Sequence, residues 1–378
     1  MKTTEIGIIG LGGAGGNIAD EFAKRGFYAG AINFSASDLN SLEYVHEKLK
    51  LLGSEGLGHN RHEAVNLIST HYQIPLSFIE THFNSSEVII FAFGCGGGSG
   101  SGISSLLIEM TRDMYPNKAI IAMPIIPHDD ESSTALSNNQ EVFEELSQLD
   151  ICIMPINNQA IRNHFGNVGK GKIYRLTNEA VANSFYSLYS YTEKSSKSGS
   201  FDKRDFINLF KQRGFCSIAE LIDVEYWVNK EKVSFTPNGM RVLINAVLNQ
   251  SIYAPIEYDS IGKAAIIIDT QNDEIADNIN NEIFNDFANQ PIDVFEGIYN
   301  DEQSKFVMVV YTGLSLCKTR LGQIDTILEK RQQEIQNNLH QNNSFKSKFT
   351  NLSLPNQTQA KEQSKRSMAD VINKYRKR

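Results

Sequence analysis

Short, β-branched apolar runs recur through the first half of the chain. Each is followed by a glycine-rich or polar turn and then by apolar residues at helical spacing. Glu5-Ile-Gly-Ile-Ile-Gly10 is the first run, Ala29-Gly-Ala-Ile-Asn33 the second and Val88-Ile-Ile-Phe-Ala-Phe93 the third, with Lys118–Pro124 and Ile151–Met154 after them. Helices are predicted between them: Ile18 to Arg25, a stretch through Val65 and Ile68, one from Ile103 to Met110, and one carrying Val142, Phe143 and Leu146. This alternation predicts an α/β fold, a doubly wound and mostly parallel sheet. Ligands of such sheets bind beyond the carboxyl ends of the strands, so the polar turns would gather on one rim.

The second half changes pattern. A long central helix is predicted over Ile173–Glu193, with Leu176, Ala180, Ser184 and Leu188 on one stripe, followed by the polar linker Lys194–Ser200. Another helix opens at Phe201–Phe206, buries Phe206, Leu209 and Phe210, and ends at Gly214. Then come a helix at 238–252, a strand at Lys263–Ile268, a helix at 274–288 and strands at Asp293–Tyr299 and Phe306–Thr312, a second and smaller α/β unit. A charged helix from Thr319 to Leu339 leaves it. The expected division is 1–172, 173–199, 200–318, 319–339 and a flexible basic tail at 340–378.

Composition narrows this picture in three ways. No apolar run is long enough to cross a membrane and no secretory h-region opens the chain, so a cytosolic protein with no membrane partner is expected. Cys95, Cys152, Cys216 and Cys317 form no CxxC pair, which argues for reduced thiols and against a disulfide framework or zinc site. The net charge of −8 is uneven: residues 340–378 carry nine Lys or Arg against two Asp or Glu, a balance of +7 that leaves −15 on the remainder. Met368, Val371, Ile372 and Tyr375 fall at helical spacing inside that basic tail, the pattern of a peptide that orders on a partner.

Two glycine runs carry the candidate chemistry. Gly94-Cys-Gly-Gly-Gly-Ser-Gly-Ser-Gly102 sits between an apolar strand and an amphipathic helix, where a flexible linker is out of place. Stripped of side chains, such a turn leaves backbone N–H groups and a helix N-terminus to face a phosphate. Gly10, Gly12 and Gly15 satisfy G-x-G-x-x-G, which admits a dinucleotide-binding Rossmann enzyme. That reading wants an acid closing the second strand, where the chain has Asn33-Phe-Ser35 and reaches Asp38 only after a turn. Neither run continues into Gly-Lys-Ser/Thr, which excludes a P-loop.

Together these residues resemble the tubulin/FtsZ family. Gly96-Gly-Gly-Ser-Gly-Ser-Gly102 is similar to that family's G-G-G-T-G-T-G phosphate loop, and Gly12-Gly-Ala-Gly-Gly-Asn17 to its first nucleotide loop. Asn33-Phe-Ser-Ala36, the Gly53–Asn60 loop, a loop from Pro127 to Glu131, Asn157-Asn158 and the long helix fall in the family's order. The resemblance implies a GTPase with GTP/GDP and Mg²⁺ as cofactors, polymerising head to tail with copies of itself. It places Gly12, Gly13, Ala14, Gly15, Gly16, Asn17 and Asn33 around the nucleotide, with Gly96, Gly97, Gly98, Ser99, Gly100 and Ser101 on its phosphates. Glu131 would meet the ribose, Asn157 would add an amide contact, Tyr174 would stack on the base, and Glu179 would pair with the adjacent N1–H and N2–H donors of guanine.

Ser200, Asp202, Asp205 and Gly214 reproduce the family's N-x-D-x-x-D…G frame, with serine for asparagine. There the two acids enter the neighbouring subunit's pocket and polarise the attacking water. Read without the family, acids at this spacing are helix caps. Two departures stand out: Glu131-Ser-Ser-Thr-Ala135 lacks the arginine of E-G-x-x-R, and Ser35 occupies a position where aspartate is common. The basic end resembles the plasmid- and phage-borne TubZ branch, whose tail grips a DNA-bound adaptor of the TubR kind and, through it, plasmid or phage DNA. Three alternatives stay open: an FtsZ-type division paralogue, a nucleotide-binding filament without hydrolysis, and a Rossmann NAD(P)-dependent enzyme.

Overall fold

The structure is a computed structural model and describes residues 3–166, 169–301 and 304–342. The basic tail and its segment Met368 to Tyr375 lie outside the described residues. The strands are β1 (Thr3–Leu11), β2 (Phe27–Asn33), β3 (Glu47–Lys50), β4 (Val88–Gly94), β5 (Ala119–Ile126), β6 (Cys152–Ile153), β7 (Ile156–Asn157), β8 (Gly214–Ile222), β9 (Lys263–Thr270), β10 (Asp293–Tyr299) and β11 (Lys305–Leu314). They form one sheet in the order β10-β9-β11-β8-β6-β5-β4-β1-β2-β3, with β7 beside β5. Among the described pairs only β11 runs antiparallel, against β8 and β9. From β3 to β6 the order is the doubly wound 3-2-1-4-5-6, whose direction reverses between β1 and β4. That reversal is where open α/β sheets bind ligands.

The apolar runs are continuous because these strands are covered on both faces. Successive residues alternate between two cores: Ile89, Phe91 and Phe93 enter one, and Val88, Ile90 and Ala92 the other. Helices Arg61–His71, Ser99–Met114 and Ser133–Leu146 supply the first core, and Gly12–Lys24, the central helix and Lys203–Phe210 the second. The central helix runs Lys170–Tyr191. Of the expected stripe Ser184 and Leu188 are buried, while in the first half Ile173, Thr177 and Val181 are buried in place of Leu176 and Ala180; Phe185 and Tyr189 enter an edge-to-face aromatic cluster with Phe22, Phe27 and Phe206. Each fully buried ring contributes on the order of 2–3 kcal/mol.

Several elements differ from expectation. The stretch 274–288 is a short helix, Asp273–Asp277, and a 3₁₀ turn, Asn281–Phe284, in place of one helix. Asn272 and Asn280 accept hydrogen bonds from the amides of Glu274 and Glu282, and such asparagine caps compete with helix propagation. Gly214 does not end the helix, which stops at Phe210 with Lys211 as its cap; it opens β8, which joins β6 to β11 and carries the sheet into the second half of the chain. Helices Gln73–Phe83 and Asn158–Phe165 were not expected at all.

The central helix spans the sheet from rim to rim. Tyr174 lies near its start, and the Tyr189 hydroxyl meets Glu5, at the opening of β1, at 3.1 Å. Fifteen residues at ~1.5 Å each separate them by about 22 Å. Past the helix, the buried Asp269 accepts from the Tyr191 hydroxyl at 3.0 Å, Lys194 Nζ at 2.9 Å and the Asp301 amide at 3.0 Å. Burial alone would raise this carboxyl; Lys194, the Asp301 amide and Tyr191 together hold it below its ordinary value.

Candidate functional site

Two helix N-termini meet where the sheet order reverses. Helix Gly12–Lys24 begins directly on β1, and helix Ser99–Met114 follows β4 across the second glycine run. Neither has a capping side chain, at Leu11 or at Gly98, whereas Asn60, Ser132 and Asn157 each cap their helices. The first-turn N–H groups are therefore left for an anion, and both helix dipoles favour one. Close backbone approach builds this geometry. Gly12 has φ 69°, and a Cβ there would lie 2.7 Å from the Gly100 nitrogen. A Cβ on Gly15 would lie 2.0 Å from the Ala92 carbonyl oxygen.

The cleft has two adjoining halves that share Ala14, Gly94 and Gly97. The glycine-lined half, about 330 Å³, is lined by Gly12, Gly13, Gly98, Ser99 and Gly100, together with Ser35, Asp38 and Gly56–Gly58. The other half, about 210 Å³ and mostly apolar, is lined by Asn17, Gly96, Ile125, Pro127, Glu131, Asn158, Tyr174 and Asn178, among others. The glycine loop is braced from outside. Gly98 N–H donates to Gly58 O at 2.8 Å, His59 Nδ1 lies 2.8 Å from Gly96 O, and the buried Asn138 amide donates to the carbonyls of His59, Gly96 and Gly97.

Glu131 sits at the mouth of the apolar half. Its carboxylate accepts from the Tyr174 hydroxyl and lies 3.2 Å from His128 Nε2 and 3.7 Å from Lys170 Nζ. Burial, reinforced by Glu131, pushes the Tyr174 phenol up. His128 is fully buried and accepts the Asp130 amide on Nδ1, which in a neutral ring leaves the proton to Nε2. Burial lowers this imidazole against the pull of Glu131.

The predicted residues divide. Gly12, Gly13, Ala14, Asn17, Gly96–Gly100 and Glu131 line the cleft, and Tyr174 does too. Gly15 and Gly16 are buried behind it as packing positions. Ser101 is buried, with its hydroxyl donating back to the carbonyls of Gly97 and Gly98. Asn33 donates to Asp38 Oδ2 at 2.9 Å, so Asp38 is presented to the cleft in its place. Asn157 caps helix Asn158–Phe165 and leaves the lining to Asn158. Glu179 is outside the lining: Asn178, four residues after Tyr174, shares its face of the helix, and Glu179 is turned about 100° further, toward Arg175 at 3.9 Å. Asn138, Asn158, Asn178 and Asp38 were missed as site residues.

Asp202 and Asp205 stand at the opposite rim. They form a reciprocal capping box on helix Lys203–Phe210, with Asp202 accepting from the amides of Arg204 and Asp205, and Asp205 from that of Asp202. Lys203 Nζ meets Glu5 at 2.8 Å, which fixes this helix start beside the beginning of β1. Burial raises the Asp205 carboxyl, the Asp202 amide opposes it, and the Asp202 charge adds to the rise. At about 22 Å along the central helix, the pair is out of reach of its own cleft.

Residues 5–166 match the family model described as Tubulin/FtsZ family, GTPase domain. Over these residues the chain is similar to the tubulin/FtsZ family. It is 25% identical over 331 residues to the tubulin-like protein TubZ of Clostridium botulinum C phage, covering 86% of this chain and 83% of the relative. It is 22% identical over 313 residues to the tubulin-like protein CetZ of Pyrococcus abyssi, covering 80% and 83%. Among solved structures, a GTPγS-form protofilament of Bacillus thuringiensis serovar israelensis TubZ superposes with a TM-score of 0.73 at 15% identity, over 88% of this chain and 94% of that one. The fold is the tubulin-like one of these structures. Among the described residues no helix is long and apolar enough to cross a membrane.

Proposed function

We propose that the cleft binds GTP and that the chain polymerises head to tail, Asp202 and Asp205 of one subunit completing the hydrolytic site of the next. The observation that carries this reading is the opposition of two half-sites: uncapped helix N-termini on one rim and the acid pair on the other. The triphosphate would lie on the N–H groups of Gly12–Gly13 and Gly98–Gly100, and the ribose beside Glu131. The base would enter the apolar half, where the Asn178 and Asn17 amides present acceptors to guanine N1–H and N2–H and a donor to O6. Asp38, the one carboxylate lining the glycine-lined half among the described residues, would need a cation beside a triphosphate, and Mg²⁺ suits a site of few carboxylates plus substrate phosphates. When bound, that ion neutralises charge on the phosphate oxygens.

In the hydrolytic step water attacks the γ-phosphorus, the bond to the bridging oxygen breaks, and GDP and phosphate leave. The incoming acids orient that water and take its proton. A second reading is favoured by the capping box itself, which already occupies both acids: a filament that binds nucleotide without turning it over. The similarity to TubZ supports a third element, partition of plasmid or phage DNA in the cytoplasm through a DNA-bound adaptor gripped by the basic segment 340–378. Removal of residues 351–378 should then leave assembly intact and abolish co-sedimentation of such an adaptor with filaments; retained co-sedimentation would place the contact elsewhere.

Base recognition has its own test. Asn178→Ala should weaken GTP binding about tenfold to a hundredfold, the ~1–3 kcal/mol of a two-point base contact. Glu179→Ala should stay within about twofold, as expected for a partly exposed helix position outside the lining. Competition against a fluorescent guanine nucleotide measures both, and the opposite ranking would return base reading to Glu179.

A further inference from the structure

The loop 127–131 supplies Pro127 and Glu131 to the cleft, yet its conformation is set from far along the chain. Arg320, on the helix that begins at Lys318, is 1% exposed. It donates to the Pro127 carbonyl at 3.0 Å and lies 2.8 Å from the Asp129 carboxylate. One helical stretch later, Arg331 donates from its two terminal nitrogens to the carbonyls of Glu131 at 2.6 Å and Asp129 at 2.7 Å. Alternate carbonyls of the loop are thus pulled toward one helix. Gln140 ties the same helix to the element after the loop, donating to Leu321 O at 3.1 Å and Asp325 Oδ1 at 2.6 Å.

A forked guanidinium can hold two carbonyls in fixed relation, which an ammonium cannot. None of these bonds touches the cleft interior, so the arginines do no chemistry there. They act on where the Glu131 carboxylate sits relative to Tyr174 and the rest of the lining.

We propose that Arg320 and Arg331 are positioning residues of the cleft, holding the 127–131 loop so that Glu131 faces the ribose, and that docking of the helix they sit on is thermodynamically linked to nucleotide binding. The inference rests on the nucleotide reading of the cleft. Because linkage is reciprocal, a bound nucleotide must tighten the helix by the same factor that the helix tightens the nucleotide.

The test uses the full chain with Arg331→Ala, Arg331→Lys and Glu131→Gln, because Arg331 is only half-buried and its loss spares the core. GTP and 2′,3′-dideoxy-GTP are titrated into each, and hydrogen exchange of the amides in 318–331 is followed with and without GTP. Arg331→Ala should bind GTP roughly tenfold more weakly, the loss of two charge-assisted bonds. Its preference for GTP over the dideoxy analogue should fall toward that of Glu131→Gln, and Arg331→Lys should be intermediate. GTP should slow exchange across 318–331 in the wild type and not in the alanine variant. If that variant does not fold, the lysine variant carries the same comparison. Unchanged affinity and unchanged ribose preference in the Arg331 variants, with Glu131→Gln impaired, would overturn the inference and leave the nucleotide reading standing. A wild type that binds no GTP would overturn both.

Discussion

Asp202→Asn should leave GTP binding and filament assembly intact while slowing turnover at least ~100-fold, the usual contribution of a positioned acid–base group. Asparagine is chosen because it caps a helix as well as aspartate does. The Asp202 oxygen that accepts from the amides of Arg204 and Asp205 at 2.7 and 3.0 Å is retained, and only the charge is lost. Asp202→Ala removes cap and charge together and should also cost about 1 kcal/mol of stability. Phosphate release measured beside light scattering separates the two roles. If the asparagine variant turns over GTP like the wild type, the acids are caps and nothing more, and the non-hydrolysing filament becomes the better reading.

The second large effect lies at the glycines. Gly15→Ala places a methyl group 2.0 Å from the Ala92 carbonyl, so helix Gly12–Lys24 must shift off β4. Overpacking of this kind costs about 1–3 kcal/mol, and here it moves the N–H groups that line the cleft, so GTP affinity should collapse with stability. Gly97 is the control, because a Cβ there has nothing within 4 Å although the residue lines both halves of the cleft. Gly97→Glu should melt within about 0.5 kcal/mol of the wild type, as surface changes do, yet exclude nucleotide by putting a carboxylate in the phosphate space. Denaturant unfolding and nucleotide titration on both variants check this. Equal losses of stability at Gly15 and Gly97 would contradict the packing account.

Much of the fold was legible because buried parallel strands are written as continuous apolar runs. β1, β4 and β5 fall within a residue or two of where those runs predict them. The glycine loops were legible for a related reason: only glycine allows the Gly12–Gly100 and Gly15–Ala92 approaches. What failed was phase and distance. Whether Asn178 or Glu179 faces the cleft turns on a single residue of helical rotation, which is set by Phe185 and Tyr189 packing beyond the site. Asp38 becomes a lining residue only through its bond to Asn33, and Asn138 braces the glycine loop from a helix that carries no motif. Arg331 reaches Glu131 across 200 positions of chain, a contact that no local pattern announces.

The acid pair was legible as a cap. Its spacing announced a cap, and the capping box is there. Its placement on the far rim adds what spacing alone does not contain: a subunit whose acids cannot serve its own cleft. The most direct test of that claim is GTP turnover as a function of protein concentration, with scattering recorded on the same samples. A site shared between neighbours predicts negligible turnover below a critical concentration and a linear rise above it, beginning where scattering begins. Turnover proportional to protein from the lowest concentration, with no dependence on assembly, would show that a single subunit holds a complete site.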